Sequence, residues 1–551
     1  MKKSLLSILA LCMIIPMIVS CGSNKTDSKN DVTTGATTPV VTTPVVTTPE
    51  PVVTPTAEYD TWVYEGYEKI TQTDRKPDSA TTSIDLYMAK NEKEGFHIAI
   101  RSTEDVEGLK VNLVSGNRDD ISVEMFNEHF IKSIRKYYPD PIIPFDGTFS
   151  VVSKKNSAIL VRFNTEVDTE AGTYAYKFNI TDPTGAVIGE YNVNLTVWNF
   201  ALPEYFSTES AVGLSSDYIT THEKLPGRLT KSYHVKYYEM LLDYGLTAYD
   251  IPYDILDEKA DAYMSDPRVT SFSVPICRWD DEKLLEYYEK IKSNPVWLEK
   301  AYFYPYDEPT TQEHMDIVEE LCSRLQTLAP EIKIVIPFFK NIKVDNDTDE
   351  IDFLEDYVTI WCPKSAAWEE GWLDDPLNRG YFGDRMEEQK AGGDKVWWYV
   401  CWEPGPPYNN LYVDEVGLDH VKLFWQQYQF GSDGFLYWGS NYWKYTDDPW
   451  TDMATVKWLT NNVFGDGSLL YPGKKVGIEG PVASLRLECI RNGMEDIEML
   501  KLAEELLGKD WVDEKVYKVS KSITDHVKET SVFNAVRKEI GEAVEIALKA
   551  D

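Results

Sequence analysis

Asp307 and Glu308 close a β-prone aromatic run, Ala301-Tyr302-Phe303-Tyr304-Pro305-Tyr306, and Pro309 follows them. Proline cannot extend a hydrogen-bonded ladder and biases the residue before it to extended geometry. The two acids are therefore expected where a strand leaves its sheet. The dipeptide alone means little, because it recurs at Asp257-Glu258, Asp281-Glu282, Asp349-Glu350, Asp414-Glu415 and Asp513-Glu514. Its placement gives it meaning: in a parallel barrel, chemistry is done at the C-terminal strand ends. Paired carboxylates there can protonate a leaving group and stabilise positive charge, the work of glycosidic bond cleavage.

The elements that would place these acids follow from pattern. Residues 58–202 show short stretches of period-two alternation divided by Gly, Asn, Asp and Pro turns, which predicts an antiparallel β-sandwich. From 203 to 475 strand and helix alternate. Candidate strands lie at 210–214, 246–252, 269–275, 301–306, 332–337, 357–362, 395–401 and 434–440. Helical windows lie at 233–244, 284–292, 314–328, 383–390 and 420–429. The expected architecture is a (β/α)8 barrel. No convincing helix joins the second strand to the third. A doubly wound sheet is the alternative, but no Gly-rich turn follows the first strand. Residues 476–551 read as a C-terminal helical cap, completing a multidomain chain of both α and β structure.

With this register, other polar and aromatic residues fall at strand exits. Tyr253 and Asp254 follow the second, Trp361 marks the sixth, and Trp398, Tyr399, Trp402 and Glu403 mark the seventh. Trp438, Asn441, Tyr442 and Trp443 mark the eighth. Trp and Tyr offer flat apolar faces with a polar edge, suited to stacking on sugar rings. Trp361, Trp398, Tyr399, Trp402, Glu403, Trp438, Asn441 and Trp443 are the candidate substrate-binding residues. Two mechanisms fit. Glu308 as acid could pair with Glu403 as nucleophile in a two-carboxylate retaining scheme. Alternatively, Glu308 is the acid/base and Asp307 steadies a substrate 2-acetamido group as it attacks the anomeric carbon. Neighbours on a regular strand face opposite ways, so the second scheme needs a bend at the exit.

The whole chain bounds the partners. Its 551 residues carry 91 Asp and Glu against 55 Lys and Arg, a net charge of −36, which would repel a phosphate backbone and excludes nucleic acid as a natural partner. Cys277, Cys322, Cys362, Cys401 and Cys489 are scattered and read as buried free thiols. No histidine spacing suggests a metal. Residues 1–20 read as a signal peptide, and Ile18-Val19-Ser20-Cys21 resembles a bacterial lipobox. That resemblance implies lipidation of Cys21 and tethering at the cell surface or periplasmic face of a bacterial membrane. Residues 21–57, with a repeated Thr-Thr-Pro-Val-Val, read as a semi-extended spacer.

Four ordered motifs carry a further resemblance. They are Trp297 to Tyr304 running into Asp307-Glu308-Pro309; Lys395 to Cys401 with Pro404 and Pro407-Tyr408-Asn409; Gly434 to Gly439 with Asn441 and Trp443; and Gly465 to Gly473 followed by Gly480 to Glu488 and Arg491 to Asp496. In these the chain resembles glycoside hydrolase family 123. The resemblance implies a β-N-acetylgalactosaminidase acting by substrate assistance on a glycan, with Asp307 as stabiliser, Glu308 as acid/base and no metal or organic cofactor. Asn492 departs from the Asp expected between Arg491 and Gly493. A different class, a tethered glycan-binding lipoprotein without catalysis, would use the same aromatic bowl. The charges at Arg486, Glu488, Arg491, Glu495 and Asp496 read as ties between a helix and its neighbours.

Overall fold

The computed structural model describes residues 57–550 except 135, 373–374, 378–381 and 456–462. The expected leader, Cys21 and the spacer up to residue 56 lie outside the described residues. The remainder forms one compact unit.

The N-terminal region is two five-stranded sheets. One orders its strands Tyr59–Glu65, Lys93–Ser102, Asn156–Thr165, Ile121–Lys132 and Tyr137–Pro144, all antiparallel. The other orders Ser83–Lys90, Val187–Ala201, Gly172–Thr181, Val106–Ser115 and Thr148–Val151. Here the expectation of a purely antiparallel arrangement needs correcting, because Ser83–Lys90 runs parallel to Val187–Ala201. Alternate residues of both sheets, among them Leu86, Ile98, Ile159 and Leu195, share one apolar cluster.

The central region is a seven-stranded parallel sheet. Its order is Glu209–Val212, Gly434–Tyr437, Lys395–Val400, Ile360–Pro363, Lys333–Phe338, Ala301–Phe303, Phe272–Ser273. The expected second strand is reduced to a single parallel bridge between Ala248 and Val212. Tyr249 nevertheless donates its N–H to Val212 O and accepts from Ser273 N. That irregular stretch lies between the first and last strands, so the sheet is nearly closed. The connection expected to lack a helix has one, Glu258–Ser265. Asp257 caps it and Ala260 and Met264 bury its inner side, but at eight residues it is too short for periodicity to announce.

Alternation sorts the strand side chains into two layers. Tyr302, Val335, Cys362, Trp397, Tyr399 and Leu436 gather in one cluster inside the curved sheet. Their chain neighbours Phe303, Ile334, Trp361, Trp398, Phe435 and Tyr437 pack instead into the cluster shared with the surrounding helices.

The C-terminal region is helical as expected, with helices Leu485–Leu507, Lys509–Val519 and Thr530–Ala550. Leu485–Leu507 is buried along most of its length. It packs with Gly417–Gln429, Lys509–Val519 and Thr530–Ala550, and with Trp198 and Phe200 of the second N-terminal sheet. The helix carries charge into this interior, and partners meet it. Arg486 pairs with Asp140, both wholly buried. Arg162 pairs with Glu488, and Arg537 with Asp496. These pairs tie the N-terminal sheets and the last helix to one spar.

Candidate active site

The site begins where the Ala301–Phe303 strand stops. The run was expected to stay extended to Tyr306, but Pro305 has no N–H to give the ladder, and pairing ends at Phe303. Glu308 then takes a φ of 46°, the left-handed region that an L residue enters at a cost. Its N–H donates to Pro337 O of the adjacent strand at 3.1 Å. This bend removes the strand alternation that would turn Asp307 and Glu308 apart. Tyr304 Oη donates to Asp307 Oδ1 at 2.8 Å, and Tyr399 Oη donates to Glu308 Oε1. Both tyrosines belong to the inner layer of the sheet, so each acid is anchored from the inside of its curve.

The Asp307 side chain reaches solvent, yet Tyr249, Tyr304 and Cys362 all feel its charge. Such crowding around an accessible carboxylate describes a concave site. Burial raises the Asp307 pKa above the ordinary carboxylate value, and the Tyr304 hydrogen bond partly opposes the rise. Burial first, then the neighbouring carboxylates, push the phenols of Tyr304 and Tyr399 well above their usual value. Both therefore remain neutral donors at physiological pH.

The other expected site residues divide. Trp402 and Trp438 pack against the inner cluster and stay partly exposed, and Tyr399 holds Glu308. Glu403 is partly exposed and pairs with Lys364 at 3.7 Å. Trp361 and Trp398 are wholly buried in the outer layer, where their indoles donate to Asp394 and Gln427. A stacking role for them is corrected by the strand period: each is one residue out of phase with the bowl. Trp443 is buried against His222 and Tyr237. Asn441 is buried, and its amide exchanges hydrogen bonds with the Ser215 backbone, tying the eighth exit to the first. Asp254 accepts from Tyr287 Oη and Leu256 N in a turn.

Besides Tyr304, three groups escaped the sequence reading. Lys364, one residue beyond the Ile360–Pro363 strand, is buried with its ammonium over the rings of Phe339, Tyr399 and Trp402. A charge set directly after a strand end was its available signal. Asp466 is buried beneath Trp438, accepting from the indole at 2.9 Å and from Tyr437 Oη at 3.3 Å. Burial raises its carboxyl to about 7. Gly467, at φ 68°, lets the chain run flush under that indole, since a Cβ there would lie 2.3 Å from the ring. Asp250 accepts from Ser273 Oγ at 2.7 Å at the neighbouring exits. Among the described residues no cluster of His, Cys, Asp or Glu could hold a metal ion.

A nearly closed parallel sheet with two carboxylates and partly exposed indoles at its C-terminal rim is the working architecture of a glycoside hydrolase. Residues 233–503 match the family model described as glycoside hydrolase 123, catalytic domain, and the chain belongs to that family. Among solved structures, a family 123 glycoside hydrolase from Clostridium perfringens superposes with a TM-score of 0.66 at 12% identity, over 89% of this chain and 99% of that one. A β-glucuronidase from Bifidobacterium dentium aligns over 84% of this chain and 67% of its own at 9% identity, with a TM-score of 0.28. No curated protein matches the chain.

Proposed function

We propose that this protein is an exo-acting, retaining hydrolase of terminal β-linked N-acetylgalactosamine, or a related 2-acetamido sugar, working by substrate assistance. The observation that carries the reading is the bend at Glu308, with the two adjacent acids held separately by Tyr304 and Tyr399. In this mechanism Glu308 gives its proton to the glycosidic oxygen as the C1–O bond breaks. The substrate amide oxygen closes on C1, and Asp307 accepts the acetamido N–H and steadies the oxazolinium. Glu308, now a carboxylate, takes a proton from water as that water opens the ring, restoring the β configuration. Tyr399 donates to Glu308 Oε1 and fixes the position of that carboxyl. The indoles of Trp402 and Trp438 supply apolar surface for the sugar.

The Clostridium perfringens relative is described in terms of glycolipid glycan hydrolysis, and glycans of that kind are the substrate class we carry over. Attachment through a lipid on Cys21 at a bacterial membrane belongs to the same proposal. Its test is the move of Cys21→Ala from the membrane to the soluble fraction.

The functional test is release of p-nitrophenol from the β-N-acetylgalactosaminide by the wild type, Asp307→Asn and Glu308→Gln. A thiazoline mimic of the oxazolinium should inhibit strongly. Hydrolysis of neutral glycosides alone, with indifference to the thiazoline, would instead favour the two-carboxylate scheme with Glu403.

A further inference from the structure

An exo-acting enzyme of this kind encloses the sugar it releases, and the rest of the glycan must leave over the rim. The rim carries an unusual group. Trp279 is 92% exposed, the most exposed of the large apolar side chains among the described residues. Indoles are large and ordinarily well buried, so one standing almost wholly in water has surface to offer a ligand.

Its loop follows Phe272–Ser273, which pairs in parallel with Ala301–Phe303, so Trp279 and the Asp307-Glu308 pair leave the sheet at the same end. The neighbouring Arg278 is near enough to Tyr306, the residue before Asp307, for its charge to act on that phenol. Arg278 is itself exposed, and among the described residues no hydrogen bond or ion pair engages its guanidinium. In a chain with a net charge of −36, an unpaired arginine is conspicuous.

The loop is also held in place. Arg324 donates to the carbonyls of Ile276 and Cys277, each at 2.9 Å, and to Asp281 through Nε at 2.8 Å. Asp280 returns its N–H to Cys277 O and caps the following helix through Lys283 N. Cys277 takes a φ of 40° at the turn. A fixed loop presents the indole without a large ordering cost on binding.

We propose that Trp279 is the platform for the sugar on the leaving-group side of the scissile bond, with Arg278 donating to that sugar's hydroxyls. This rests on the hydrolase reading above and assigns the side of the bowl from which the glycan departs. Trp402 and Trp438, packed at the inner cluster, serve the released sugar; Trp279, on the rim, serves the next one.

The test compares two substrates ending in the same β-linked N-acetylgalactosamine: a trisaccharide and the methyl glycoside, whose leaving group is too small to reach the rim. Trp279→Ala should lower kcat/KM for the trisaccharide about tenfold, the scale of one aromatic contact, and leave the methyl glycoside within about twofold. Trp279→Phe should restore most of the difference. An unchanged trisaccharide rate, or an equal fall on both substrates, overturns the proposal. If the wild type cleaves neither, binding of the trisaccharide to wild type and Trp279→Ala is read by fluorescence titration. A tenfold weaker affinity in the variant then supports the platform while the hydrolase reading falls, and equal affinity or no binding overturns the platform as well.

Discussion

Two groups of charge in this molecule are built on opposite principles. Around Arg486 every donor is used: Nε and Nη2 meet Asp140, Nη1 meets the carbonyls of Leu411 and Gly465, and Nη2 also meets Ser468 O. A guanidinium has five N–H groups, and here all five are spent. At the strand exit, Asp307 and Glu308 are each anchored by a neutral phenol. A saturated ion pair has one stable charge state, whereas Asp307, held by the Tyr304 phenol and raised by burial, lies nearer to the point where a carboxyl gains and loses its proton. The first arrangement joins layers of the fold, and the second is the one we propose acts on substrate. They also meet, because Gly465 and Ser468 flank Asp466, which lies under the Trp438 indole.

The largest expected difference comes from Glu308→Gln. Removing a general acid and base costs about 10²–10⁴ in kcat, most on substrates with poor leaving groups, while the denaturation midpoint should scarcely move. Arg486→Met should show the reverse. Breaking a buried pair by removing one partner costs about 3–5 kcal/mol, read by chemical denaturation, with turnover per folded molecule retained. A variant of Arg486 that lost rate without losing stability would erase the distinction between the two regions.

A smaller effect tests the phenols. The Tyr304 hydrogen bond lowers the Asp307 pKa against the rise caused by burial. Tyr304→Phe should therefore raise it. If ionised Asp307 is required, activity is lost as pH falls through its pKa, so the acid limb of kcat/KM should move to higher pH. Tyr471→Phe, next to Asp140 in the saturated network, should leave that limb in place.

The smallest effect belongs to Asp466. Its folded-state value is raised from 3.8 to about 7, so between these the folded chain holds a proton that the unfolded chain has released. Stability from this group therefore falls as pH rises through that window. Asp466→Asn removes the titration. Relative to wild type it should gain stability from pH 4 to pH 8, and a difference constant with pH would contradict the burial that sets this value.

Much of the nearly closed parallel sheet was legible because its strands are short β-prone runs with helices between them, and seven of the eight expected strands appear with shifted ends. The stretch at 246–252 was misread because an extended sequence does not reveal how many bonds it will make. The placement of Asp307 and Glu308 beyond a strand end was legible because proline cannot extend a ladder, though pairing stops at Phe303, ahead of Pro305 and not of Pro309. The aromatics were less so. Trp397 faces inward and Trp398 outward, and a run such as Lys395 to Val400, apolar on both faces, gives no polar alternation to say which. Tyr304 could have been found, since Tyr302 and Tyr304 share a face. Lys364 and Asp466 owe their importance to neighbours far away in the chain, which spacing cannot show.

The central claim is that the substrate's own amide attacks C1 while Asp307 and Glu308 take separate roles. The direct measurement is kcat/KM for p-nitrophenyl β-glycosides bearing N-acetyl, N-difluoroacetyl and N-trifluoroacetyl groups. Fluorine withdraws electrons from the amide oxygen without greatly changing its size. Substrate assistance predicts a steep fall along the series. Equal rates across it would contradict the account and return the nucleophile to a protein carboxylate.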